Sequence, residues 1–169
     1  MAMLALAAAP IGAQQTSGKA QLYVGYTFFR AVGGNLSGLR LSPEFRLNGP
    51  AALVADLSVE KGTITKASTT VSTFLGGVRL KKAIGSAAIY VHALAGGVRA
   101  SSSITPFSGV SISVSDTGLG LDGGGGVEFN FRGSVKMRVG ADYLRRKIDA
   151  GGGKRSDEND VRATVGLVF

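Results

Sequence analysis

Charged side chains recur at every second position of several apolar segments, and this spacing is where the sequence could carry chemistry. Arg40, Glu44 and Arg46 alternate with apolar residues in one segment, and Lys136 and Arg138 do so in another. A period of two is that of a β-strand with one charged face and one apolar face. Charges gathered on one face could form buried ion pairs, or they could line a narrow path for an ion.

His92 is the only histidine of the chain and is therefore the first candidate for acid–base catalysis. Such catalysis needs a serine and a carboxylate beside the imidazole at an accessible surface. His92 instead falls in the middle of a strand pattern, with Tyr90 and Leu94 on its own face. We expect a polar core residue, and we assign no catalytic residue.

Two further motifs invite a ligand-binding interpretation. GLGLDG at 118–123 has the glycine spacing of dinucleotide sites, but no helix follows to hold a pyrophosphate. We expect the glycines of 123–126 to relieve crowding where the barrel wall bends or where a large inward side chain crosses. Asp157, Glu158 and Asp160 lack the spacing of a calcium loop, so a solvated loop is favoured. The sequence therefore predicts no cofactor and no metal.

Alternation of apolar and polar residues, bounded by Gly, Pro, Asn and Ser, predicts eight strands. They are expected at 20–30, 38–47, 51–61, 70–80, 87–99, 117–131, 133–146 and 158–169. The connections between them alternate in length, which places tight turns at one end and longer loops at the other. This pattern predicts an all-β fold, an eight-stranded antiparallel transmembrane β-barrel with short periplasmic turns and longer extracellular loops. Pro43 cannot donate a ladder hydrogen bond, so a bulge or distortion is expected there.

Composition supports one ordered domain. The chain has 169 residues, of which 26 are glycine and 44% are hydrophobic, and its mean hydropathy is +0.22. No segment reaches the roughly 18 apolar residues of a membrane-spanning helix. The opening MAMLALAAAPIGAQQ predicts a secretory signal over 1–13, followed by a periplasmic segment at 14–19 and the barrel at 20–169. The 19 basic residues outnumber the 11 acidic ones but are scattered without a basic stripe, which argues against nucleic acid.

Charge is tolerable only toward the lumen, because Arg or Lys on the lipid face costs about 2–4 kcal/mol at the bilayer midplane. An eight-stranded barrel is only wide enough for side chains to fill it, so inward charges must pair. A closed salt-bridge core is expected, with a gated pore as the alternative. The predicted network comprises Arg40, Glu44, Arg46, Asp56, Glu60, Arg79, Asp122, Glu128, Lys136, Arg138, Asp142 and Arg162.

A second group of basic residues falls in the lipid-facing phase at the outer ends of the odd-numbered strands. These residues are Arg30, Lys61, Arg99 and Arg145. Long basic side chains at a membrane boundary can extend to headgroup phosphates. We therefore predict a rim that contacts lipopolysaccharide.

The chain closes on VGLVF, in which Val165, Leu167 and Phe169 share one face. This ending resembles the assembly signal of outer-membrane barrels. With YVGYTF at 23–28, GGGVEFN at 124–130 and VGADYLR at 139–145, the chain from about Ala20 onward is similar to the OmpA/OmpX-like family of eight-stranded barrels. The resemblance implies insertion by the barrel assembly machinery and roles in envelope integrity, adhesion or slow diffusion. The chain ends at the barrel, so the family's cell-wall-binding domain does not carry over.

The expected function is a non-enzymatic structural barrel of the bacterial outer membrane that supports envelope integrity. Its expected partners are outer-membrane lipid, lipopolysaccharide and the assembly machinery, and we expect a monomer. A narrow low-conductance pore or a surface adhesion protein is the alternative. A soluble lipocalin-like carrier would need an apolar lumen, which the charged faces disfavour.

Overall fold

Eight strands form a closed antiparallel barrel in which each strand pairs with its neighbours in the chain and β1 closes on β8. The computed structural model describes residues 20–31, 34–47, 49–64, 67–107, 110–149 and 155–169. The strands are β1 (Ala20–Ala31), β2 (Gly34–Arg46), β3 (Ala51–Ile64), β4 (Ala67–Ile84), β5 (Ala87–Phe107), β6 (Val110–Arg132), β7 (Val135–Asp149) and β8 (Arg155–Val168). The predicted fold class is confirmed. Within these ranges no helix is long and apolar enough to span a bilayer.

Strand β3 shows how the sequence sets the two faces of the wall. Asp56 and Glu60 are fully buried, whereas Leu53, Leu57 and Val59 point outward and are 37–48% exposed. Successive side chains of a strand point to opposite faces, so charge lies inside and apolar surface lies outside. A one-residue slip would exchange these two faces, which fixes the register.

The two ends of the barrel differ in their connections. At the end we call the turn end, β4 and β5 are joined by Gly85 and Ser86, and β6 and β7 by Gly133 and Ser134. Gly85 and Gly133 adopt φ values of +59° and +57°. Tight hairpin turns need this left-handed conformation, which residues with a Cβ atom rarely adopt and glycine adopts freely. β1 starts and β8 ends at the same end. The connection between β2 and β3 also lies at the turn end, so the opposite end, called the far end, carries the remaining four of the seven connections.

The strands reach further toward the far end than predicted. Much of 62–69 and 100–116, assigned above to outer loops, is paired strand, and β5–β6 pairing extends to Phe107 and Val110. These segments are rich in Ser and Thr, so they lack the apolar alternation that marks a strand in sequence. Their backbone groups nevertheless pair with the neighbouring strand, because the ladder does not depend on side-chain polarity.

Pro43 interrupts a ladder without shifting it. Pairing of β2 with β3 runs to Leu41 and Leu57 and resumes at Glu44 and Val54 in the same register. The missing N–H of proline thus removes pairing locally, so the predicted distortion takes the form of a gap in the ladder without a bulge. Register shifts occur instead between β5 and β6 and between β6 and β7.

The seam between the first and last strands is short. β1 and β8 pair from Tyr23 to Arg30, and just below this range Leu22 and Phe169 exchange two backbone hydrogen bonds of 2.9 and 3.1 Å. By contrast, β4 pairs with β5 from Ser68 through Ile84. The barrel is therefore closed all round, with unequal pairing along its seams.

Glycines on the inner wall make room for two tyrosines. A Cβ atom at Gly140 would collide with the Tyr90 hydroxyl, and one at Gly126 would lie 2.8 Å from it. Tyr23 covers Gly25 in the same way. Glycine is needed at these positions because an aromatic ring lies against the wall. Of the predicted run at 123–126, only Gly126 meets the Tyr90 side chain, and a Cβ atom at Gly123 would have nothing within 4 Å.

Candidate functional site

The lumen nearest the turn end holds five charged side chains that we call the lower network. Glu44 is its centre: Arg79 pairs with it, Arg138 Nη1 lies 2.5 Å from Oε1, and Lys81 Nζ lies 2.7 Å from Oε2. Glu128 accepts from Arg138 Nη2 at 2.5 Å and from Lys81 Nζ at 2.8 Å. Three cations thus share two carboxylates.

Tyrosine rings hold the guanidinium groups of the lower network in place. The Arg138 guanidinium lies 4.8 Å from the Tyr23 ring centre and 5.1 Å from that of Tyr90. Arg79 lies 4.8 Å from the Tyr90 ring centre. These distances are within the range of cation–π attraction, which is stronger away from water. The excess positive charge is therefore partly balanced by aromatic faces.

The middle of the lumen is organised around His92. Its Nε2 atom lies 2.8 Å from Asp122 Oδ1 and 3.2 Å from Asp142 Oδ1. The other oxygen of Asp122 pairs with Arg162, and the other oxygen of Asp142 pairs with Arg40. Each carboxylate thus bridges the histidine to an arginine.

Two more acids complete this group. Asp56 accepts from Arg40 Nε at 2.7 Å and from Ser42 at 2.5 Å. Glu60 lies 3.8 Å from Arg162 Nη1 and accepts from the Thr27 hydroxyl at 3.3 Å. We call this group the central cluster; it comprises Arg40, Asp56, Glu60, His92, Asp122, Asp142 and Arg162.

Within the described residues, His92, Asp122 and Asp142 are the group whose ligand atoms lie close enough together for a metal ion. Arg40 and Arg162 contact the same carboxylates, and their charges oppose a dication at this position. Both carboxylates contact the same atom, His92 Nε2, and His92 Nδ1 is buried without a hydrogen-bond partner among the described residues. We therefore treat the central cluster as an ion-pair site.

A group of buried apolar side chains, which we call the apolar cluster, packs beside the central cluster and continues toward the far end; Leu75 pairs with Asp56 and Leu94 with Asp122 across neighbouring strands. Arg146 adjoins the apolar cluster: it pairs with Asp160 at 2.6 Å and with Glu158 at 2.7 Å, and its guanidinium lies 5.4 Å from the Phe29 ring centre. Charged and apolar side chains therefore share the lumen side by side. The buried apolar residues are Phe29, Leu36, Val54, Val71, Leu75, Leu94, Val98 and Leu144.

Ten of the twelve residues predicted to form the lumen network are buried and lie in the lower network or the central cluster. Arg46 is exposed and Lys136 is half-buried at the turn-end mouth, where Gln21 accepts from Arg46 at 3.3 Å. Arg46 is the last residue of β2 and Lys136 the second residue of β7, so both lie beyond the lower network toward the turn end. Among described residues neither has a carboxylate partner.

Sequence reasoning missed Lys81, Arg146 and Asp160 as members of the lumen. Arg146 and Asp160 lie inside the predicted strands 133–146 and 158–169 and share the alternating phase of Asp142 and Arg162, so applying the inward phase to the ends of these strands would have found them. Lys81 was assigned to a turn because the apolar pattern of its strand ends at Leu80.

The four predicted rim residues are exposed, but only Arg30 lies next to the end of its strand; Lys61, Arg99 and Arg145 lie three, eight and four residues before the far-end limits of β3, β5 and β7, because these strands are longer than predicted. Arg145 pairs with Asp157 at 3.0 Å, and Arg99 donates to Ser115 at 3.4 Å. Arg30 and Lys61 have no carboxylate partner among described residues. The rim thus consists of separate surface cations.

The C-terminal residues lie on the outer wall of the closing strand. Val165 is 40% and Phe169 is 56% exposed on the face opposite the lumen, and Leu167 is half-buried. They continue the apolar outer surface to the turn end.

Comparison with known proteins gives a family and several solved structures. The model of the outer membrane protein β-barrel domain family matches residues 1–169. A search of curated proteins found no match. Neisserial surface protein A is 16% identical with a TM-score of 0.67, over 89% of this chain and 94% of that chain.

Two other solved structures share the fold. Ail, the attachment invasion locus protein of Yersinia pestis, in complex with the heparin analogue sucrose octasulfate, is 16% identical with a TM-score of 0.64, over 90% of this chain and 99% of that one. A major outer membrane protein of Thermus thermophilus is 13% identical with a TM-score of 0.61, over 89% and 98%. At these identities the likeness is one of fold.

Proposed function

Since the chain belongs to the outer membrane protein β-barrel family and resides in the outer membrane, we propose that it is a non-enzymatic structural barrel that supports envelope integrity. The observation that carries this proposal is the filled lumen. Buried side chains of the lower network, the central cluster and the apolar cluster occupy the lumen together. A solute would have to displace them to cross the barrel.

The energetics of the filled lumen favour a closed barrel. Breaking a buried ion pair by removing one partner costs about 3–5 kcal/mol, because the other charge is left uncompensated. The apolar cluster adds to this barrier, since narrow hydrophobic surroundings exclude water and therefore ions.

The position of His92 favours a non-enzymatic role. Its side chain is 1% exposed and is enclosed by carboxylates that are themselves fully buried. A substrate would need to enter the packed lumen to reach it. General acid–base catalysis requires hydrogen-bond reach to the substrate, which this position does not offer.

Single-channel recording in planar bilayers tests the closed lumen. We expect the purified chain to give no conductance steps above the lipid baseline. Steady steps from the unmodified chain whose size changes in Glu128→Gln, but not in the lipid-facing control Leu119→Ala, would establish the pore and overturn the proposal.

A deletion strain tests the role in the envelope. We expect loss of the gene to increase uptake of bulky antibiotics and detergents, and expression of the unmodified chain to restore the barrier. Unchanged sensitivity of the deletion strain would remove this part of the proposal. Both strains should carry equal amounts of the other outer-membrane proteins for the comparison to hold.

The far-end rim supports a second candidate function, which is contact with lipopolysaccharide or another anionic surface polymer. Arg30, Lys61 and Arg99 are exposed cations without a carboxylate partner among described residues. One structure of the same fold is a complex with a heparin analogue, a polyanion. Charge reversal at these positions and Arg145 should release lipopolysaccharide from the purified protein. Unchanged association would exclude this function.

A further inference from the structure

We propose that the turn-end mouth of the lumen is a binding site for an anionic group, a phosphate presented from the periplasmic side. The site borders the lower network, with which it shares Lys81 and Glu128, and is distinct from the far-end rim. It is built from Arg46, Lys81 and Lys136, which come from β2, β4 and β7 and meet at one opening.

The mouth contains a cavity of about 290 Å³. Its cationic lining is Arg46, Lys81 and Lys136, and its one carboxylate is Glu128. The remaining wall is made of small residues, which leave room for a ligand of several atoms; they are Gly49, Pro50, Ala51, Ala52, Ala83 and Ala88. A pocket with a few convergent polar groups and open space is the usual form of a small-ligand site.

The single carboxylate of the cavity is already engaged. Glu128 pairs with Arg138 and with Lys81, at 2.5 and 2.8 Å. Arg46 has only the neutral Gln21 as an acceptor, at 3.3 Å, and Lys136 has no carboxylate partner among described residues. Two cations at the mouth therefore lack a counter-charge.

The charge behind the mouth strengthens this field. At the turn end of the lumen and its mouth, two carboxylates, Glu44 and Glu128, stand against five basic side chains, which are Arg46, Arg79, Lys81, Lys136 and Arg138. A concave opening with low-dielectric walls focuses such a field and attracts anions. The buried lower network thus contributes attraction without contacting the ligand.

Phosphate suits this donor set better than a carboxylate or a halide. The Arg46 guanidinium offers a planar fork for two oxygens, and the two lysines offer point charges for the rest. The same chemistry could come from a phospholipid headgroup of the inner leaflet or from a soluble phosphate compound. Both sources reach the periplasmic end of an outer-membrane barrel, so the experiment must separate them.

The test uses the full chain in two kinds of nanodisc. In phosphatidylcholine discs, calorimetric titration with pyrophosphate measures binding of a soluble phosphate. In discs that also contain phosphatidylglycerol, native mass spectrometry measures retained anionic lipid. We expect binding in at least one arm, and at least a tenfold loss of affinity or retention in Arg46→Gln/Lys136→Gln.

The matched control is Lys82→Gln/Arg132→Gln, which removes the same charge from exposed positions outside the cavity. We expect it to change binding less than twofold. The charge-preserving variant Arg46→Lys/Lys136→Arg should keep most of the binding. Heat-modifiable mobility on gels confirms that each variant is folded.

Each outcome has one meaning. Binding of pyrophosphate alone assigns a soluble phosphate, and retention of phosphatidylglycerol alone assigns a lipid headgroup. Absence of binding in both arms overturns the site. Equal loss in the cavity variant and the control variant also overturns it, because the effect would then follow net charge and not the cavity.

Discussion

The lower network and the central cluster are both buried ion-pair groups, but their charge imbalances are opposite. In the lower network, Arg79, Lys81 and Arg138 share Glu44 and Glu128. In the central cluster, two arginines serve four carboxylates, with His92 between two of them. In each group the scarcer sign holds the rest together. The cost of a substitution should therefore depend on which sign it removes and where.

The largest effect is expected at Glu44. Glu44→Gln removes the carboxylate that contacts Arg79, Lys81 and Arg138, and it leaves Arg79 without a charged partner among described residues. We expect a loss of about 3–5 kcal/mol in the free energy of unfolding. The measurement is the urea dependence of the folded band on unboiled gels, which suits a chain without tryptophan. A loss below 1 kcal/mol would contradict a lower network centred on Glu44.

The corresponding residue of the central cluster is Arg40. Arg40→Gln leaves Asp56 and Asp142 without their shared cation. We expect a loss of about 3 kcal/mol in the same assay, smaller than at Glu44 because Asp142 keeps His92 and Asp56 keeps Ser42. If Arg40→Gln and Asp56→Asn lower the free energy of unfolding equally, the imbalance between acidic and basic residues does not decide the cost of a substitution.

Removal of the abundant sign sharpens the comparison. Lys81→Met leaves Glu44 with Arg79 and Arg138, and leaves Glu128 with Arg138. Asp56→Asn leaves Arg40 paired with Asp142. We expect each substitution to cost about 1 kcal/mol or less, because no buried charge loses its last partner. A cost equal to that of Glu44→Gln would refute the expectation that the scarcer sign of charge holds each group together.

The smallest effect is expected for an ion pair outside the lumen. Arg145 and Asp157 lie 3.0 Å apart, within the range of the lumen pairs, but their side chains are 48% and 50% exposed. Arg145→Gln should change the free energy of unfolding by less than about 0.5 kcal/mol, because water screens the pair. Asp157→Asn is the matched control. A cost similar to that of Arg40→Gln would show that burial is not the deciding variable.

The strands of the barrel wall could be predicted from sequence because the alternation of polar and apolar residues within each strand shows which side chains are buried. In β3 and β7 the alternation of charge with apolar residues fixes both the strand and its inward face. This alternation can be read from each segment alone, without knowledge of the neighbouring strands. The far-end extensions were missed because serine and threonine can face either lumen or solvent.

The partners of the lumen charges could not be predicted in the same way. Arg40 pairs with Asp142, which is 102 residues away and on a strand that does not neighbour its own. Such a contact depends on the tilt and stagger of all eight strands, which no single segment encodes. The outward position of Arg46 has the same origin, since its height relative to the packed lumen follows from the stagger.

The short seam between β1 and β8 bears on the order in which the barrel forms. Every other seam joins strands that are neighbours in the chain and can form as a hairpin, whereas this one joins segments separated by almost the whole polypeptide. Closing so long a loop carries the largest entropic penalty, and nonlocal pairing is slow. The barrel therefore closes last between β1 and β8, the pair of strands with the fewest paired residues. Closure of this seam, and not formation of the hairpins, is then the slow step of folding.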